Sequence, residues 1–129
     1  MVDVTFYRDK EKRTLKPELF SSVAEDLAKE LSAFQKSNKR TQIRKFYDEV
    51  LRLNSLAKSN QNDWDNILPY VNMLIAKATY ARGRNLVTEE FVDFIKKSMG
   101  QIQDPKDLDV FANLFEAFMG FYKKYRPTD

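Results

Sequence analysis

The chain has 129 residues, 43% of them hydrophobic and 32% charged, which suits a single globular domain able to bury its own core. It contains no cysteine and no histidine, so disulfides, thiolate nucleophiles, serine–histidine–aspartate triads and the common zinc sites are excluded. With 22 basic and 19 acidic side chains the net charge is only +3, so the distribution of charge is more informative than its sum.

In chain order, residues 2–7, "VDVTFY", alternate weakly and predict an extended arm, followed by the solvated charge run "RDKEKR". Residues 1–16 are expected to form a flexible arm, and 17–126 a helical bundle within one domain. Helical periodicity begins at about Pro17, whose missing N–H costs nothing in a first turn, with Leu19/Phe20, Val23, Leu27, Leu31 and Phe34 as the apolar face. A second helix carries Ile43, Phe46, Tyr47, Val50, Leu51 and Asn54 on one side, with Thr41 or Asn38 as the source of the N-cap oxygen. "SNQND", Ser59 to Asp63, ends it.

The third helix contains Pro69, which falls in its first turn if Asn66 or Asp65 is the N-cap. Its apolar face runs Ile67/Leu68, Val71, Leu74/Ile75 and Ala78, and Gly83 is expected to end it. Thr88 reads as the cap of a fourth helix, with Glu89 and Glu90 complementing the dipole, Phe91, Phe94/Ile95 and Ser98/Met99 as its face, and Gly100 as its stop. The fifth starts at "DPKD", with Asp104 as cap, Pro105 at the first position and Asp107 reaching back, and continues to about Tyr125. It has two apolar stripes. Leu108, Phe111/Ala112, Phe115, Phe118/Met119 and Tyr122 form one, and Val110, Leu114, Ala117 and Phe121 the other, so the helix is either central or meets another subunit.

The expected fold class is therefore all-α: a compact bundle of about five helices with an extended N-terminal arm. Three glycines and four prolines supply too few turn residues for an all-β fold. No apolar run approaches the ~18 residues of a membrane span, and "MVDVTFYRDKEKR" lacks the apolar core of a signal peptide. The expectation is a cytoplasmic protein with no membrane partner.

The acids offer little catalytic chemistry. Asp63 and Asp65 flank Trp64 in a loop, while Asp104, Asp107 and Asp109 cap a helix start, and no histidine supplies a base near neutral pH. No enzyme, metal or cofactor is expected. The bases are more suggestive: Lys36 to Lys45, "KSNKRTQIRK", holds five basic side chains and no acid. Lys39, Arg40, Arg44 and Lys45 gather at the start of the second helix, where the helix dipole disfavours cations, so an anionic partner explains them better than capping does. Lys77, Tyr80 and Arg84 lie along one stripe at the end of the third helix, with Arg82 off to one side. That pattern fits ligand contact or ordinary C-terminal capping. In "FYKKYRPTD", Tyr122 reads as facing the core and the rest as a solvated basic tail.

Three blocks in order, "TQIRKFYDEVLRL", "LPYVNMLIAKATYARGR" and "FANLFEAFMGFYKKY", resemble the small subunit of type III-A CRISPR effector (Csm) complexes over roughly residues 39–126. The resemblance implies a non-catalytic subunit present in several copies, stacked beside the subunits that carry the guide RNA. Its partners would be target RNA and guide RNA, other subunits of the complex and copies of itself. Sequence specificity would come from base pairing, and the protein would hold the RNA backbone. It further implies RNA-backbone contact by Arg44, with Arg40 and Lys45 as neighbours, and by Lys77, Arg82 and Arg84. The competing expectation is a helical scaffold that self-associates through the second stripe of the last helix and has no nucleic-acid role.

Overall fold

The computed structural model of this chain describes residues 2–129. Two short strands, β1 (Tyr7–Asp9) and β2 (Thr14–Leu15), pair antiparallel with an irregular register, and Arg13 turns the chain between them at φ 54°. A wide helical turn, Leu19–Val23, leads into α1 (Ala24–Ser32). Four further helices follow: α2 (Arg40–Ser59), α3 (Trp64–Gly83), α4 (Glu89–Met99) and α5 (Pro105–Tyr125). The all-α bundle of five helices expected from periodicity is thus the observed architecture.

α5 is the centre of the bundle, packing against both α1 and α2. Its first stripe is buried except for the half-buried Met119, and Phe94 of α4 meets Phe111, Phe115 and Phe118 of α5 in one aromatic cluster with ring centroids 5.6–6.0 Å apart. The second stripe is inside too: Leu114 is fully buried, and Val110, Ala117 and Phe121 pack partly against the core. A helix apolar on two sides is what a central position demands.

The N-terminal arm is extended and packed. Val4 and Phe6 are buried, and the Phe6 ring stacks on Phe111 at 6.5 Å. The Lys16 N–H, next to β2, donates to the Phe6 carbonyl at 3.0 Å, and the Gln101 side-chain amide accepts from the Phe6 N–H (2.8 Å) and donates to the Val4 carbonyl (3.0 Å). Asp104 caps α5 by accepting from the Asp107 N–H at 3.1 Å, while Asp107 reaches back to accept from the Gln103 N–H at 3.0 Å. Tyr7 donates to Asp107 and Arg13 pairs with Asp104, fastening the hairpin to the same helix start. Burial, with the bond to Asp107 adding, pushes the Tyr7 hydroxyl up to about 12.

Several local expectations are corrected. α1 stops at Ser32, so Phe34 falls beyond the helix and is exposed, and Phe20, in the wide turn before α1, is exposed while Leu19 beside it is buried. Neither Thr41 nor Asn38 caps α2 with its side chain; Lys39 is the N-cap residue. Asn38 is instead a buried junction at φ 56°. Its amide donates to the Leu31 carbonyl (3.2 Å) and Thr88 Oγ1 (2.8 Å) and accepts from the Thr88 N–H (2.9 Å). α3 begins at Trp64, earlier than the Asn66 or Asp65 cap implies, because the indole is buried and donates to the Gln103 carbonyl at 2.9 Å. Pro69 therefore lies inside the helix, on its exposed side, where water can serve the carbonyl it leaves unbonded. Gly83 is the last residue of α3 and has no positive φ; the left-handed residue after the helix is Asn85, at φ 61°.

Candidate nucleic-acid interface

α2 and α3 form a helical hairpin through residues 60–63, so the start of one and the end of the other share an end of the molecule. α2 buries Ile43, Phe46, Val50 and Leu53, and α3 buries Ile67, Val71, Leu74 and Ala78; these faces meet α5 and α4 as well as each other. That packing leaves a shallow groove lined by Gln42, Lys45, Phe46, Glu49, Leu74 and Lys77. Lys45 and Lys77, 32 positions apart in sequence, thus border the same surface.

The seven candidate cations are not equally available. Lys77 is held across the groove by Glu49 at 2.8 Å. Glu49 also grips Arg52 on its own helix at 2.7 Å, and that bond, with Lys77 adding, draws its carboxyl down to about 2. Arg82 turns toward the first turn of α4, 3.8 Å from Glu89, and Arg44 lies 3.8 Å from Asp48. Of the seven, the side-chain nitrogens of Lys39, Arg40, Lys45 and Arg84 have no carboxylate within 4.0 Å among the described residues. Arg40 is half-buried, with Nη1 enclosed and unbonded, and Arg84 lies over the Tyr80 ring, 5.9 Å from its centroid. The geometry therefore brings Lys45 and Lys77 together and separates Arg82 from the stripe.

The amino end of α2 is already served from within the chain. The Thr41 N–H donates to the main-chain oxygen of Asp129 at 2.8 Å. The Asp129 carboxylate is held by two bonds from Arg126, which chiefly lower its pKa, with the Arg40 N–H and the Lys39 charge adding to the effect. Arg126 is itself buried and donates to the carbonyls of Phe34, Gln35 and Ser37. The reading of the C-terminal bases as a solvated tail is corrected for Arg126, whereas Tyr122 does face the core and Lys123 and Lys124 are exposed.

Sequence reasoning missed Glu49, Arg52, Arg126 and Asp129. The Glu49–Arg52 spacing is a visible helical pair, but Glu49 meets Lys77 across 28 positions and Arg126 meets the 34–37 loop across 89 or more, and neither leaves a local signal. Three of the clustered acids are engaged in structural bonds. Asp104 and Asp107 hold the hairpin and the helix start, and Asp109 binds Lys58 (2.9 Å) and Asn54 (3.0 Å). Among the described residues no three carboxylates converge as metal ligands, and no helix is long and apolar enough to cross a membrane.

The fold is a small all-α bundle, and four of the seven candidate cations on its α2–α3 hairpin make no ion pair. The family model described as Csm2 Type III-A matches residues 14–128, and the chain belongs to that family, the small subunits of type III-A CRISPR complexes. Other subunits of such a multi-subunit complex are accordingly its partners. The match reaches well beyond residues 39–126, taking in the first helix and the second strand. No curated protein and no solved structure matches the chain.

Proposed function

We propose that this chain is a non-catalytic RNA-binding subunit that holds target and guide RNA by the sugar–phosphate backbone and does not read base sequence. Several copies would stack along the guide–target duplex, in contact with one another and with the other subunits. The observation that carries this reading is the set of cations without carboxylate partners, Lys39, Arg40, Lys45 and Arg84, at the shared end of the α2–α3 hairpin. Cations that stabilise a fold are paired, and cations left unpaired together cost self-repulsion that a polyanion relieves. Lys77, Arg82 and Arg44 form the second rank, because each has an internal carboxylate that RNA phosphates would have to replace.

The test is binding of unrelated RNA sequences across a salt series by the wild type and a Lys45→Ala/Arg84→Ala variant. The wild type is expected to bind all sequences alike and to weaken steeply with salt. Losing two phosphate contacts to a single strand should reduce the slope of log K against log salt by about 1.4. A flat wild-type salt response, or a double variant with an unchanged slope, would sink the proposal.

A further inference from the structure

α3 is apolar on more than the face it buries. Tyr70, Met73 and Tyr80 are 58%, 45% and 69% exposed, and with Lys77 and Arg84 they form a single stripe at helical spacing that contains no acid. Burial explains none of the three, since all stand outside the buried face of Trp64, Ile67, Val71, Leu74, Ala78 and Ala81. Tyr80 is the most exposed large apolar side chain in the described chain, and it leans on Arg84, whose guanidinium is 5.9 Å from the ring centroid. An arginine without a carboxylate partner, resting against an open aromatic ring, places a flat π surface and a cation side by side.

We propose that Tyr80, supported by Arg84, is a stacking platform for an unpaired nucleotide of the bound RNA. This rests on the RNA-binding reading and narrows it. A base inside an A-form helix has both faces covered by its neighbours and cannot stack on a side chain, whereas an unpaired base offers a free face. Charge complementarity identifies the occupant. The stripe carries Lys77 and Arg84 with no acid of its own, so a base laid on Tyr80 brings its phosphates toward those cations. A purely apolar partner would leave Arg84 desolvated and unpaired.

Stacking and phosphate contact have different signatures. Removing a phosphate contact changes the salt slope, whereas removing a stacking ring lowers affinity at every salt concentration by the same factor. The experiment titrates a fluorescein-labelled single-stranded RNA, and a fully paired RNA duplex of the same length, with the wild type, Tyr80→Ala and Tyr80→Phe. Each variant's helix content is checked by circular dichroism. Tyr80→Ala is expected to weaken single-strand binding about tenfold with the salt slope unchanged, to leave duplex binding as it is, and to be rescued by Tyr80→Phe. Single-strand affinity equal to that of the wild type overturns the inference, and so does an equal loss on both RNAs. A wild type that binds neither RNA fails the underlying proposal instead, so the two failures are separable.

Discussion

A side chain added at position 83 would meet no atom within 4 Å, and the residue has no positive φ. The freedom that glycine offers is therefore unused there, while its entropic cost at a helix end remains. Gly83→Ala is expected to raise stability by about 0.5–1 kcal/mol, read as an increase in the denaturant midpoint at constant m-value. A loss of stability would mean that the end of α3 is strained in a way its dihedrals do not record. The residue that needs a left-handed backbone is Asn85, and asparagine is the side chain that adopts it most readily after glycine. Gly83 does end α3, as its place after the last apolar position implies, but the left-handed residue falls two positions later. Asn38 was similarly ambiguous in sequence. An asparagine before a helix suggests a cap, yet its amide serves the start of α4, 50 positions away.

At the scale of elements, Glu49 is the bond between α2 and α3. Arg52 chiefly, and Lys77 after it, lower its carboxyl from 4.5 to about 2. Because the folded-state pKa is depressed, the unfolded chain binds the proton more readily. The stabilisation is complete above about 4.5, declines as the pH falls, and is gone below about 2. Glu49 and Lys77 are 22% and 46% exposed, so solvent screens the pair and its worth is about 1 kcal/mol or less. Glu49→Gln should therefore be slightly destabilised near neutral pH and converge on the wild type near pH 2, as measured by urea unfolding at a series of pH values. A penalty that persists at low pH would point to packing as the source. All five helices were legible because apolar spacing, Asp104 with Pro105, and Thr88 with its two glutamates are local signals. The start of α3 was not legible, because nothing local marks Trp64 as a core residue when its partner is the carbonyl of Gln103. The candidate cations were legible one by one. Which were already neutralised depends on helix pairing, and the sequence does not display that.

At the scale of the whole molecule, the arm completes the core. Phe6 has no exposed surface and rests on Phe111 in the central helix, so Phe6→Ala should cost about 3–5 kcal/mol. That is a large part of the stability of a domain this size. Denaturant unfolding monitored at Trp64 would measure it, and a cost within error would show the arm to be loosely tethered. The family match begins at Thr14, so Val4 and Phe6 enter the core from outside the matched residues. The alternating pattern of "VDVTFY" identified an extended segment correctly. It could not reveal that a glutamine side chain would serve the Phe6 N–H and the Val4 carbonyl, because a match made by one amide has no periodicity to detect.

Arg126 ties the corner between α1 and α2 to the last turn of α5, serving the carbonyls of Phe34, Gln35 and Ser37. Such a tie gives two remote segments a common lifetime. When the segment at 126–129 lifts away, the corner loses the donor for three carbonyls, and α2 loses the partner of its Thr41 amide. The two segments should then exchange their amide hydrogens as one cooperative unit, with a single opening free energy well below that of the α5 core. The tie also forms late as the chain is made, since α1 and α2 emerge long before the arginine that fixes the angle between them. The corner that leads into the cation-rich hairpin is thus held by a contact made about ninety positions downstream of it.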